Sequence, residues 1–308
     1  MENILSITDY FEPQILAAEK DFLIVYKPAG MHSAPLGNSQ DTILKWCSAE
    51  YPEILELSGK DDPVDDDSDS ENNNRQASDG GLLHRLDYDT HGLMIIARTP
   101  QGMDSLIEQQ RHGKIFKEYC ALTAEKKTAL PGFPDERPII PFWVFREKHR
   151  IGDTINIRSA FRPYGPGRKE VRPVVTDVNI PYTGNMKIKN QGPDIALDGN
   201  RPYVTNIITG KIMPYGGVSG SVDYKVRDTN DPVISSFRLG ILRGFRHQIR
   251  CHLAWVGRPI LNDGLYGGIS FGNGSLALRA FLISFADPCT GAKRVFAIEQ
   301  IKIDDVWN

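Results

Sequence analysis

A chain of 308 residues with 40% hydrophobic and 24% charged content has a globular protein's composition, and it is long enough for one large core or two joined subdomains. No run approaches the roughly eighteen apolar residues of a membrane span, and Met1 to Tyr10 lacks the basic and apolar stretches of a secretory leader, so a cytoplasmic protein is expected. Cys47, Cys120, Cys251 and Cys289 are scattered without a Cys-x-x-Cys pair, which argues against a zinc site or a disulfide framework; three of them lie in apolar contexts and read as core.

The net charge of -3 is unevenly spread. Ser58 to Gly80 holds eight acids (Asp61, Asp62, Asp65, Asp66, Asp67, Asp69, Glu71, Asp79) against Lys60 and Arg75, a net of -6, which leaves +3 for the rest. Such a segment repels itself and has nothing to pack, so 58–80 is predicted to be an acidic, mobile surface loop.

In chain order, Phe22-Leu-Ile-Val-Tyr26 predicts a strand and Lys27-Pro28-Ala29-Gly30 a turn. A short helix follows with Asp41 as N-cap and Ile43, Leu44 and Cys47 on one face. Beyond the acidic loop, His84-Arg85-Leu86-Asp87-Tyr88-Asp89 forms a charged turn that runs through Gly92 into Leu93 to Ala97, an apolar run typical of a strand buried on both faces. Polar groups at the mouth of a rigid strand suit binding and catalysis, because the scaffold fixes them and the turn leaves them accessible. A surface turn whose Arg and Asp simply pair is the plainer alternative.

Thr99-Pro100 predicts a helix start with Pro at the first position, followed by Met103, Leu106 and Ile107 at helical spacing and an end near Gly113. Phe116 to Thr123 reads as a strand whose alternation puts Lys117 and Tyr119 on one face. From Pro131 to Pro232 the chain is rich in Pro, Gly and Asn, and no long period predicts an element. Within it, Arg146, Lys148, Arg150, Arg158, Arg162, Arg168, Lys169 and Arg172 interleave with Phe145, Phe161 and Tyr164. That mixture suits loop or single-stranded RNA, with phosphates to neutralise and bases to cover; a solvated basic face is the alternative. Phe237 to Leu242 then predicts a strand, Arg243 to Arg246 a basic turn, and His247 to Val256 a helix closed by Gly257 and Pro259. Arg246 and Arg250, four apart, are expected as neighbours on one helical face that could hold a phosphate or carboxylate.

His84-Arg-Leu-Asp87-x-x-Thr90-x-Gly92-Leu93 resembles the H-R-L-D-x-x-T-S-G-L signature of the RluA-type pseudouridine synthases. Lys117-Glu-Tyr119 resembles that family's K-x-Y strand, and Gly244-Phe-Arg-His-Gln-Ile-Arg250-x-His252 its G-R-x-H-Q-I-R-x-H segment. Lys27 to Gly30, Gly264-Leu-Tyr-Gly267 and Leu278 to Pro288 also fall in the family's order. Ser is usual where His91 stands, and Arg where Phe245 stands beside Arg246. The acidic loop and an enlarged basic region, 142–231, lie outside the resemblance, and the family's S4 RNA-binding domain is expected to be absent.

The resemblance implies an α+β pseudouridine synthase fold over 1–308, a single catalytic domain of two subdomains with a large mixed, mostly antiparallel sheet and an RNA-binding cleft between them. It implies conversion of uridine in rRNA or tRNA to pseudouridine by cleavage of the C1′–N1 bond, rotation of the base and formation of C5–C1′, by a monomer with RNA as its partner and without cofactor, metal or membrane. Asp87 matches the catalytic aspartate, acting as nucleophile at C1′ or as base at C2′. Arg250 matches the arginine that keeps that carboxylate charged, and Tyr119 the tyrosine that stacks on the target base and assists proton removal from C5. His84, Arg85, Thr90, Lys117, Arg246, His247 and Gln248 are the expected substrate-binding residues. A glycoside hydrolase would need a second, protonated carboxyl group near Asp87, for which Asp89 is the local candidate. The alternative from another class is a catalytically silent RNA-binding protein of the same fold.

Overall fold

The computed structural model describes residues 3–35, 41–57, 79–140, 144, 155–175, 202–213, 233–272 and 274–302. In chain order the first elements are β1 (Asn3–Ile4), β2 (Gln14–Ala18), β3 (Phe22–Lys27), α1 (Ile43–Ser48), β4 (His91–Ala97), α2 (Pro100–Arg111) and β5 (Phe116–Ala124). Then come β6 (Ile155–Tyr164), β7 (Glu170–Val174), β8 (Tyr203–Ile212), β9 (Ile234–Ile241), α3 (Gln248–Trp255), β10 (Leu278–Ala286) and β11 (Lys293–Ala297). The chain divides into two compact units: 1–119, 241–246 and 278–300 make the first, and 120–240, 247–277 and 301–308 the second. A mixed, mostly antiparallel sheet with three α-helices among the described residues is an α+β architecture.

In the first unit β2, β3 and β4 pair antiparallel in that order. β4 runs parallel to β10 through His91 opposite Arg279 and Gly92 opposite Ala280, and β10 pairs antiparallel with β11. β3 and β4 are buried along their whole length, as their unbroken apolar runs require. Gly92 has φ 128°, and a Cβ there would come within 2.2 Å of the Ala280 carbonyl oxygen. Only glycine lets β10 approach so closely at the point where the charged turn enters β4.

The helix signals hold with one shift. Thr99 caps α2, its hydroxyl accepting from Gly102 N–H at 3.0 Å, Pro100 fills the first helical position, and Gly113 at φ 61° follows the C-cap His112. α1 is capped by Thr42 rather than Asp41: the Thr42 hydroxyl accepts from Lys45 N–H at 3.1 Å. The acidic stretch lies outside the described residues except for its last two members, Asp79 and Gly80, and both are buried.

The second unit contains β9, β8, β6 and β7, paired antiparallel in that order, with α3 packed on β7 and β8. These strands fill part of the region where the sequence shows no period. Alternation is present, with Ile157 and Ser159 buried in β6 and Tyr203, Thr205 and Ile207 in β8. Two of those inward positions are hydroxyl residues, which a hydrophobic pattern does not register. His252 of α3 explains them: it bonds the Ser159 hydroxyl at 2.9 Å through Nε2 and the Thr205 hydroxyl at 2.8 Å through Nδ1. α3 begins at Gln248, and His247 precedes it in the left-handed region at φ 55°. Arg246 therefore lies before the helix and does not share a helical face with Arg250, because the chain bends at His247. Cys47, Cys120 and Cys251 are buried and Cys289 is exposed. Among the described residues no helix is long and apolar enough to cross a membrane, and no cluster of three His, Cys, Asp or Glu could hold a metal.

Candidate active site

The charged turn before β4 is held from behind by residues 27–33. The Lys27 ammonium is fully buried and donates to the carbonyls of Pro28 at 2.8 Å, Met31 at 2.7 Å and Tyr88 at 3.2 Å. Gly30 N–H donates to the same Tyr88 carbonyl at 3.0 Å. The Ser33 hydroxyl donates to the Leu86 carbonyl and accepts from Leu86 N–H, both at 3.0 Å. Thr90 N–H closes the turn on the Asp87 carbonyl at 3.1 Å. The backbone on both sides of Asp87 is thus fixed, which is what a reacting carboxylate needs from its scaffold. The sequence marks Lys27 to Gly30 as a turn and as a segment in the family's order without giving Lys27 a role, and it does not mark Ser33; the fold brings both beneath Leu86 and Tyr88.

Electrostatics connect Asp87 to two neighbours in this unit. Burial pushes Lys27 down to about 7, while the charges of Asp87 and Asp89 act to raise it. Burial first, and then the charge of Asp87, push the Tyr119 phenol above its ordinary value. Tyr119 and Lys117 are both buried on β5, and burial pushes Lys117 down to about 8. Asp87, Tyr119 and Lys117 therefore occupy one unit, two of them two residues apart on a rigid strand.

The other predicted residues of this unit have more structural surroundings. His84 Nε2 accepts from Ile95 N–H at 3.3 Å, which pins the turn to β4, and burial followed by the charge of Lys117 holds the imidazole well below its usual range. His84 is thus neutral, and its buried Nδ1 has no partner among the described residues. Arg85 is 43% exposed at its side chain and pairs with buried Asp79. Thr90 is buried, with an unpartnered hydroxyl. Buried His91 lies 6.4 Å from the Tyr26 ring, and burial with the charges of Arg279 and Lys27 pushes it down to about 3. Arg246 is half-buried at the end of the basic turn, where Arg243 caps α2 by donating to the carbonyls of Gln110 and Arg111.

In the second unit Arg250 is buried, and Asp263 grips it with both oxygens: Nε donates to Oδ2 and Nη2 to Oδ1, each at 2.8 Å. The guanidinium lies 5.3 Å from the Tyr266 ring centroid. Asp263 Oδ1 also accepts from Tyr266 N–H at 3.3 Å, and the Tyr266 hydroxyl accepts from Val171 N–H at 3.0 Å and contacts His247 Nδ1 at 3.1 Å. Gln248 is buried, with its amide donating to the Val204 carbonyl at 3.0 Å and the Thr205 hydroxyl at 3.1 Å. The sequence motif around Gly264 pointed here without marking Asp263, whose role needs its distance from Arg250.

Basic residues of the middle region separate by environment. Arg172 is buried, bonded to Glu170 at 2.7 Å and the Pro131 carbonyl at 2.9 Å and lying 4.0 Å from the Tyr164 ring. Phe161 is also core, whereas Arg158 and Arg168 are exposed. Arg146, Lys148 and Arg150 lie outside the described residues.

A sequence model of the RNA pseudouridylate synthase family matches residues 21–255. The chain belongs to that family. Ribosomal large subunit pseudouridine synthase D of Blochmanniella floridana is 34% identical over 255 residues, 82% of this chain and 54% of that protein. The protein of the same name in Escherichia coli (strain K12) is 25% identical over 264 residues, 84% of this chain and 55% of its own. The chain spans about half the length of these curated relatives. In fold it resembles human RNA pseudouridylate synthase domain containing 1, with a TM-score of 0.53 and 17% identity over 93% of this chain and 84% of that one.

Proposed function

We propose that this protein isomerises uridine to pseudouridine in RNA, with ribosomal large-subunit RNA as the substrate class, in the cytoplasm and without a cofactor. The observation that carries the reading is the fixed turn: Asp87 projects from a backbone clamped by Lys27, Gly30, Ser33 and its own Thr90 contact, in the unit that holds Tyr119. The names of the curated relatives support the choice of RNA.

The target uridine leaves its stack before reaction, at a cost of a few kcal/mol, since a paired base cannot be detached and turned. The Asp87 carboxylate then attacks C1′ or removes the C2′ proton, and either route breaks C1′–N1 and frees the base to rotate. C5 bonds to C1′ as the Asp87 ester breaks or the proton returns to C2′, the C5 hydrogen leaves to water, and N1 takes up a proton. Tyr119 keeps its proton near neutral pH, because burial and the charge of Asp87 oppose the phenolate. Stacking and hydrogen-bond donation to the detached base are the roles that fit such a phenol. The resemblance gives Arg250 the part of cation partner, and Asp263 presents its guanidinium in a fixed plane.

The test is release of tritium from RNA labelled at uridine C5, on transcripts of large-subunit ribosomal RNA and on total tRNA separately. Release from the ribosomal transcript alone is expected. Asp87→Asn should lower it by about 10³-fold or more while RNA affinity stays within about twofold. Binding without release by the wild type, on assembly intermediates as well as free RNA, would favour the silent RNA-binding protein.

A further inference from the structure

Next to Asp87 the first unit exposes an aromatic ring, Tyr88, that rests on a half-buried second ring, His32, and none of these roles uses it. Tyr88 follows Asp87 directly, and its side chain remains 48% exposed although its carbonyl is held by Lys27 and Gly30. Its ring lies against His32, with centroids 4.7 Å apart and planes tilted by 48°. His32 is held in turn: its carbonyl accepts from Ile43 N–H at 3.0 Å, and it bridges to Thr42. Both rings thus rest on fixed backbone.

We propose that Tyr88, backed by His32, is a stacking platform for a nucleobase of the RNA strand that flanks the target uridine; this rests on the reading of the protein as an RNA uridine isomerase. Tyr88 is one peptide from Asp87, and consecutive Cα atoms are about 3.8 Å apart, so a strand whose target ribose lies at Asp87 brings its neighbouring nucleotide within reach of this ring. The chemistry selects a base face over a phosphate. Asp87 and Asp89 flank Tyr88 and repel an anion, whereas an uncharged π face meets no such penalty and gains contact with an exposed ring. A ring fixed before binding also loses little side-chain entropy on contact, which makes it a better anchor than a mobile one.

The experiment compares wild type, Tyr88→Ala, Tyr88→Phe, Tyr88→Trp and His32→Ala on the large-subunit ribosomal RNA transcript, with kcat and KM from tritium release and affinity from direct titration. Tyr88→Ala is expected to raise KM and Kd by between about 5-fold and 150-fold, the span that ~1–3 kcal/mol per stacked base converts to at 1.4 kcal/mol per tenfold, with kcat within about threefold. Phe and Trp at this position should hold KM near the wild-type value, and the slope of log KM against log salt should be the same in Tyr88→Ala as in wild type, because stacking releases no counterions. His32→Ala should give a smaller loss that does not add to that of Tyr88→Ala. An unchanged KM in Tyr88→Ala, an equal loss in Tyr88→Phe, or a shallower salt slope would overturn the platform. A wild type that binds the transcript without releasing tritium defeats the isomerase reading alone, and the titrations still decide the platform. A wild type that neither binds nor reacts defeats both.

Discussion

Lys27 and Arg250 are both buried cations, one in each unit, and the protein satisfies them in opposite ways. Lys27 donates to the backbone carbonyls of Pro28, Met31 and Tyr88, and burial drives it down to about 7 even with the charges of Asp87 and Asp89 acting on it. Arg250 has a carboxylate that matches its fork with two parallel bonds. The first arrangement uses an ammonium to hold a loop; the second uses a carboxylate to hold a guanidinium. A cation that serves as a clamp can lose its charge and keep much of its purpose, whereas one held for its charge depends on its counterion.

The largest effect that could break this contrast is at Asp263. Asp263→Asn removes the carboxylate that grips the buried Arg250 guanidinium with two bonds, for which a loss of about 3–5 kcal/mol in denaturant unfolding is expected, together with a fall in tritium release. Equal stability of the variant and wild type would mean that the pair contributes no more than a surface bridge.

Acid comes next. His91 in the first unit and His252 in the second are each pushed down to about 3 by burial, with the charges of Arg279 and Lys27 adding to the shift at His91. The unfolded chain takes up protons at these sites below pH ~6.5 while the folded chain stays neutral to about 3, so stability falls as pH drops through that window. At pH 5 the cost is about 2 kcal/mol for each histidine. His252→Asn can keep bonds to Ser159 and Thr205, and it should shrink the stability difference between pH 7 and pH 5 by about that amount.

Lys27→Met is expected to cost about 2 kcal/mol at pH 7, since it leaves the carbonyls of Pro28, Met31 and Tyr88 short of a donor while removing a buried charge. Its pH signature is sharper than its size. Between the folded value of about 7 and the ordinary 10.5, the unfolded chain holds a proton that the folded chain has released, so wild-type stability rises with pH there. The variant should lack that rise. Smallest is Arg85→Ala: the Arg85 side chain is 43% exposed, so losing its bridge to Asp79 should cost less than about 1 kcal/mol, while RNA binding weakens and its salt slope falls by about one unit if Arg85 meets a phosphate.

Much of this was legible from local pattern. The apolar runs of β3 and β4, the Thr99-Pro100 start of α2 and the alternation of β5 depend on neighbours in the chain, and the signature at His84–Leu93 with its companion segments pointed to the family. β6 and β8 were not legible, because Ser159 and Thr205 face inward for hydrogen bonds to His252, and hydrophobic periodicity is blind to that. The helical pairing of Arg246 with Arg250 failed for a comparable reason: a count of residues assumes an unbroken helix, and His247 at φ 55° breaks it.

By itself the sequence determined the family, the order of the motifs, the strand that anchors Asp87 and the pairing of Lys117 with Tyr119 on one face, since each follows from residue type and spacing along the chain. Tertiary structure alone decided that Lys27 and Ser33 hold the Asp87 turn, that Asp263 holds Arg250, that Arg172 is core and Arg85 surface, and that Tyr88 keeps an exposed ring on His32. These are matters of distance and desolvation between residues as many as 61 positions apart, and a charge's worth depends on what surrounds it after folding.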